Sequence, residues 1–125
     1  MKSSAIPREE MEGYRATARQ RWEEGREARK HRSQLAWEVA RRAADVLREH
    51  FGASRVVVFG SLVGGRSFSR WSDIDLAAWG LPPDDYFVAV ARLQDLSPEF
   101  EIDLVTMEYC RPELLKVILR EGREL

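Results

Sequence analysis

The chain has 125 residues and a formal net charge of −1, about one domain's worth, and chains of this size typically bury about two thirds of their unfolded surface on folding. With 20 Lys and Arg against 21 Asp and Glu, no global field draws it to nucleic acid or an anionic membrane, so neither is expected as a partner unless the contact is local. Cys110 is the single cysteine and cannot form an intramolecular disulfide; no run approaches the roughly 18 apolar residues of a spanning helix, Met1-Lys2-Ser3 is not followed by a signal-peptide core, and the expected location is the cytoplasm.

Ser4 is placed to cap a helix with Pro7 near its first turn and Glu9 and Glu10 complementing the dipole. From there to His50 the only interruptions are Gly13 and Gly25. At about 100° per residue, Tyr14, Ala18, Trp22, Gly25, Ala28, Leu35, Val39, Ala43 and Val46 fall on one side of a continuous helix, with Arg29 and Arg32 breaking the stripe. One long helix, or two meeting near residues 29–33, both satisfy the pattern. A single helix would be roughly 65 Å long at about 1.5 Å per residue, against a body only about 30 Å across. Leu35 to Leu47 is therefore expected on the core. Residues 1–34 form a helical arm that folds back, meets another protein or joins a second copy. Trp37 lies off the Leu35/Val39/Val46 face, so the arm covers it or it serves an interface. In the arm, Arg15, Arg19, Arg21 and Arg26 alternate with Glu12, Glu23, Glu24 and Glu27, the usual mark of a solvated helix with i,i+4 pairs. Only Arg26 to Arg32 is locally basic.

Gly52 suits a left-handed helix cap. Arg55 to Phe59 then reads as a strand buried on both faces, Gly60 to Ser72 as a loop, and Asp73 to Trp79 as a second strand stopped by Gly80-Leu81-Pro82-Pro83. Asp84 or Asp85 caps a helix with Phe87, Val90, Ala91 and Leu93 or Leu96 inward. Phe100 to Thr106 is a third strand, with Ile102 and Leu104 on one face and Glu101, Asp103 and Val105 on the other. Pro112 starts a last helix through Leu114, Leu115, Ile118 and Leu119. The sum is an α/β (α+β) domain over residues 35–125, a small mixed sheet flanked by helices with an N-terminal helical extension.

The chemistry gathers between Val56 and Leu76. Asp73 and Asp75, two apart in a strand, share a face about 7 Å apart at Cα. Two close carboxylates repel unless a cation neutralises them. Mg²⁺ suits them, because it binds through one or two carboxylates plus substrate phosphates. An isolated D-x-D is more often plain strand alternation, but here Gly60-Ser61 follows a buried strand and lets backbone amides and a hydroxyl approach a phosphate. Gly64-Gly65 keeps the loop open, Arg66 and Arg70 can reach phosphate oxygens, and Asp103 offers a third carboxylate. Together these are the parts of metal-assisted phosphoryl or nucleotidyl transfer. Trp71 either stacks on a base or caps the sheet edge, Glu101 reads as a solvated neighbour, and His31, His50 and Cys110 make no zinc site.

Phe59-Gly60-Ser61, the spacer Leu62 to Ser72, Asp73-Ile74-Asp75-Leu76 and Ile102-Asp103-Leu104 resemble the DNA polymerase β-like nucleotidyltransferase superfamily, within it the MNT-type minimal nucleotidyltransferases that act as antitoxins beside HEPN-domain partners. The resemblance covers about residues 35–120 and implies the polymerase β-like fold. It implies that Asp73, Asp75 and Asp103 are both catalytic residues and ligands of two Mg²⁺ ions, with Asp103 helping to deprotonate the attacking hydroxyl. Gly60, Ser61, Gly65, Arg66 and Ser72 would hold ATP. The implied reaction transfers AMP from ATP to a hydroxyl of a HEPN-domain partner encoded nearby, which the N-terminal arm could contact. Three alternatives remain: an inactive subunit that neutralises its partner by occlusion, an aminoglycoside-like small-molecule transferase and, weaker for want of a basic duplex-binding surface, a DNA- or RNA-extending polymerase. The chain departs from many relatives in carrying Leu62-Val63-Gly64 where they have an arginine; the nearest cation is Arg66.

Overall fold

The computed structural model describes residues 7–64, 68–69 and 71–125. Ser4, Gly65, Arg66 and Arg70, singled out above, lie outside the described residues. One helix, α1 (Arg8–Phe51), runs without a break through residues 29–33. Its N-terminal flank is Pro7, which supplies no side-chain cap. At its other end Gly52 takes a left-handed φ of 72° and donates its N–H to Leu47 O, as does Ala53 at 2.9 Å, the double closure for which a residue without Cβ is favoured.

Ala36, Val39, Ala40, Ala43, Ala44 and Leu47 are buried, whereas nearly every residue before Arg32 is exposed. The core segment thus falls where expected, but the arm does not fold back, because a continuous helix has no turn with which to do so. Trp37 is consequently not covered by the arm; Arg41 and Arg123 sit over its ring, each 5.8 Å from the centroid.

The sheet is mixed, in the order β3-β2-β1-β4. Strand β1 (Arg55–Phe59) is antiparallel to β2 (Ile74–Trp79) and to a two-residue β4 (Arg123–Glu124), and β2 is parallel to β3 (Ile102–Thr106). Side chains alternate between its faces. Val56, Val58, Ile74, Leu76, Ala78, Ile102 and Leu104 pack toward α1 and α3 (Tyr86–Gln94), while Val57 and Ala77 pack with Met107 and Ile118 of the side covered by α4 (Pro112–Glu121). Among the described residues, no helix is long and apolar enough to cross a membrane.

Local differences from the sequence reading have physical causes. Ser61–Gly64 forms a single helical turn, α2, within the expected loop. Helix α3 starts at Tyr86, so Ala89 and Leu93 point inward and Phe87 is 80% exposed, contrary to expectation. Tyr86 fixes that phase by donating its hydroxyl to Leu104 O at 2.8 Å. Gln94, one helix length on, meets the backbone of Ile102 through both its amide nitrogen and its amide oxygen. These contacts occupy backbone groups of the edge strand β3, which otherwise invite pairing with another chain, and they fix the strand that carries Asp103. In α4 Ile118 is buried, but Leu119 is exposed. At the centre of the core Leu47 is fully buried. Leu47→Ala is expected to destabilise the fold by about 2–5 kcal/mol, measured by urea denaturation.

Candidate active site

The end of the sheet where β1 leaves and β2 and β3 enter gathers the predicted carboxylates. Phe59 of β1 pairs with Asp75 of β2, and Asp75 with Asp103 of β3. These three form one row across the sheet, on the α4 side and next to the Val57, Ala77, Val105 row that α4 covers. Asp73 lies one residue ahead of β2, whose first residue, Ile74, donates its N–H to Glu101 O at 2.9 Å. Two-residue alternation along β2 and parallel register with β3 therefore explain why Asp-x-Asp and a lone Asp meet.

Gly60 turns the chain out of β1 with a left-handed φ of 76°. Its missing Cβ leaves room for Asp75, since a Cβ built there would fall inside contact distance of Asp75 Oδ2. Ser61, half-buried, opens α2 directly after it, and Gly64 N–H reaches Gly60 O at 3.3 Å. The Gly-Ser turn and the central carboxylate are thus in contact.

Ahead of Asp73, residues Ser69 and Ser72 close a turn. Ser69 N–H donates to Ser72 Oγ at 3.0 Å, and Ser72 N–H to Ser69 O at 3.1 Å. Arg32 of α1 anchors this turn by donating Nε to Ser69 O and Nη2 to Glu99 O, each at 3.2 Å, with its guanidinium 4.5 Å from the Phe100 ring. Phe68 in turn packs on Phe100, with centroids 6.1 Å apart. The sequence reading missed this anchor. Its signal was there: Arg32 interrupts an apolar stripe, as a cation that spans a helix and two loops would. Arg32, Trp71, Ser72, Asp73, Glu99 and Glu101 line one groove of about 360 Å³, which places Ser72 beside Asp73. Trp71 is 81% exposed.

Asp75 has its pKa raised to about 6, chiefly by burial, then by the charge of Asp103 and of Asp73. The three carboxylates thus share a field, although no three His, Cys, Asp or Glu side chains among the described residues already converge on one point to hold a metal. In donor chemistry the set fits a hard divalent cation: all-oxygen, anionic, and with a half-buried central member set against two further carboxylates. The sign of the pH effect follows. A carboxyl with a higher pKa folded than unfolded contributes stability that is present below 3.8 and lost as pH rises through about 6. The metal-free protein should melt progressively lower across this window than Asp75→Asn does, and Mg²⁺ should raise the melting temperature more at about pH 7 than at about pH 5, as read by differential scanning fluorimetry.

Residues 42–125 match the family model described as Polymerase beta, Nucleotidyltransferase. The chain belongs to the polymerase beta nucleotidyltransferase family. Comparison with curated protein sequences finds no match, but several solved structures share the fold of this nucleotidyltransferase. One is a chain of tri-AMPylated Shewanella oneidensis HEPN toxin in complex with MNT antitoxin, with a TM-score of 0.54 and 20% identity over 74% of this chain and 70% of that one. A toxin–antitoxin with AMP-PNP gives a TM-score of 0.56 and 21% identity over 65% and 67%. A protein assigned as a minimal nucleotidyltransferase gives 0.50 and 27% over 79% and 94%. Nucleotidyltransferase membership agrees with the resemblance carried by Phe59-Gly60-Ser61, Asp73-Ile74-Asp75 and Asp103, and the fold is the expected one.

Proposed function

We propose that this nucleotidyltransferase transfers AMP from ATP to a hydroxyl of a protein partner, and that the partner is a HEPN-type toxin which it neutralises as an MNT-type antitoxin. The observation that carries the reading is the Gly60-Ser61 turn seated against Asp75, with Asp103 in register on the next strand. Support also comes from likeness in fold to chains solved with an AMPylated HEPN toxin and with AMP-PNP. Residues 35–125 act as the catalytic domain and residues 1–34 as an arm.

Asp73, Asp75 and Asp103 would hold Mg²⁺, two ions in this reading, which when bound supplies neutralisation of the triphosphate and of the charge that develops at the α-phosphate. Gly60 and Ser61 hold the triphosphate through backbone amides and a hydroxyl, and Ser72 borders the same site. Gly65 and Arg66 are assigned to the nucleotide from the sequence alone. The acceptor oxygen forms a bond to the α-phosphorus, the bond from that phosphorus to the bridging oxygen of the β-phosphate breaks, and pyrophosphate leaves. Asp103, exposed on the edge strand, takes the proton from the acceptor hydroxyl at a carboxylate oxygen. Asp75, less exposed, keeps its position against Gly60.

The second reading, neutralisation by occlusion with the carboxylates idle, draws on the exposed arm of α1. Co-purified chain and partner, incubated with Mg²⁺ and ATP labelled at either the α- or the γ-phosphate, separate the two. Transfer of the α-label alone to the partner supports the proposal; a stable complex with no label transferred supports occlusion, and γ-label transfer contradicts both.

A further inference from the structure

Along the sequence the arm's charges alternate in sign, but on the continuous helix α1 they sort. At about 100° per residue, Arg15, Arg19, Trp22, Arg26, Arg29 and Lys30 fall within roughly 100° of its circumference, whereas Glu9, Glu24, Glu27 and Glu38 fall on the far side, with Arg21 as the one arm cation among them before Arg32. Glu12 and Glu23 lie at the edge of the basic strip. Within it Trp22 is 60% exposed, with Arg26 5.6 Å from its ring, and the half-buried Trp37 lies on the same side of the helix with Arg41 and Arg123 over its ring.

The strip opens into a groove of about 690 Å³ that runs from Trp22 past Arg26, Arg29 and Lys30 to Trp37 and Phe68. Arg29 also lines a second groove with Trp71, and Trp71 lines the groove that holds Asp73. Basic and aromatic side chains therefore line successive grooves from the arm as far as Asp73. Its charge disfavours a second copy docking by the same face, which would set cations against cations. It calls for a polyanion, and the indoles at intervals call for one with flat faces to stack. Trp22 and Trp37 are about 22 Å apart along the helix at about 1.5 Å per residue, a span that several nucleotides of single strand cover at about 3.4 Å or more each.

We propose that the face of α1 between Trp22 and Trp37 binds single-stranded nucleic acid, with bases stacked on the indoles and phosphates held by Arg26, Arg29 and Lys30. Unstructured single strands are bound in this way, by an electrostatic groove combined with aromatic platforms, without sequence readout. The site is independent of the carboxylates, so binding stands or falls apart from the transfer reaction.

The test titrates the full chain into a fluorescent oligouridylate of about 16 nucleotides and follows anisotropy at several salt concentrations. Wild type and Asp75→Asn are expected to bind alike. Trp22→Ala should weaken binding about tenfold, and Arg26→Glu/Arg29→Glu/Lys30→Glu should weaken it by at least about a hundredfold and flatten what remains of the salt dependence by about 2 in logarithmic slope. All four substituted positions are exposed, and circular dichroism checks that each variant is folded. The proposal is overturned if wild type binds no better than the charge-reversed variant, or if Trp22→Ala binds like wild type. It is equally overturned if polyglutamate competes as well as the oligonucleotide, which would mark a surface for an acidic protein, or if free ATP does, which would mark a mononucleotide site.

Discussion

Asp75→Asn is expected to lower nucleotide transfer by about a thousandfold or more while leaving the fold intact. Asp75 is the middle residue of the Phe59–Asp75–Asp103 row and the one in contact with the Gly60 turn. Every arrangement in which the three carboxylates serve one centre therefore passes through it. Charge stabilisation by a bound cation contributes several kcal/mol to a transition state, and about 1.36 kcal/mol is tenfold in rate, so losing the anchoring charge has an effect of that order. Asparagine keeps the size and one oxygen but removes the charge. Because the ionised carboxylate is disfavoured by burial and by its two acidic neighbours, the same change should raise the melting temperature of the metal-free protein above about pH 6. Lost activity together with gained stability is the signature of a site strained toward its function; a variant that loses both would assign Asp75 to the fold instead. Steady-state kinetics and thermal melts on one preparation read the two effects.

Gly60→Ala should damage both properties. A left-handed φ of 76° costs a residue with Cβ about 1–2 kcal/mol, and the new methyl would press on Asp75, whose Cγ would lie 3.3 Å from it and whose Oδ2 closer still. A stability loss of about 1–3 kcal/mol is expected by urea denaturation, together with transfer reduced at least about tenfold as the carboxylate is pushed from its row. A double-mutant cycle divides the two causes. In an Asp75→Gly background the clash is gone, so Gly60→Ala should retain only its backbone cost. Equal penalties in both backgrounds would show that the close approach to Asp75 contributes nothing.

Most of what positions these carboxylates could be read from the sequence, because each strand announces itself locally. Val56 to Val58 is a β-branched run; Ile74 and Leu76 alternate with Asp73 and Asp75, as Ile102 and Leu104 do with Glu101 and Asp103. Strand parity then places all three carboxylates on one face, and the register of β2 with β3 agrees. Elements too short for periodicity stayed hidden. The single turn of α2 and the two residues of β4 are held by their neighbours rather than by any pattern of their own. Arg48 donating to Leu125 O and Arg55 paired with Glu124 secure that last segment. The phase of α3 was misread because Phe87 is the larger apolar residue, yet Tyr86 finds a hydrogen-bond partner on β3 and takes the inward position.

In α1 the alternating charges disguised two faces, which separate only once the helix is known to be unbroken. Arg32 looked like an interruption of a stripe, and its role emerges only with the positions of Ser69 and Glu99, far away in sequence. The interrupted stripe marks Arg32 as engaged, but its partners lie too far along the chain for local pattern to name them.

Modification of a protein partner with AMP at the Asp73, Asp75 and Asp103 centre, as proposed, changes the partner's mass in whole AMP steps. Intact-mass spectrometry of the HEPN-type partner proposed above, after incubation with the full chain, ATP and Mg²⁺, reads that change. A mass increase of one or more AMP groups is expected with the wild-type chain, and none with Asp75→Asn or in excess chelator. An unmodified partner under conditions where the two proteins form a complex, or modification that persists with Asp75→Asn, would contradict it.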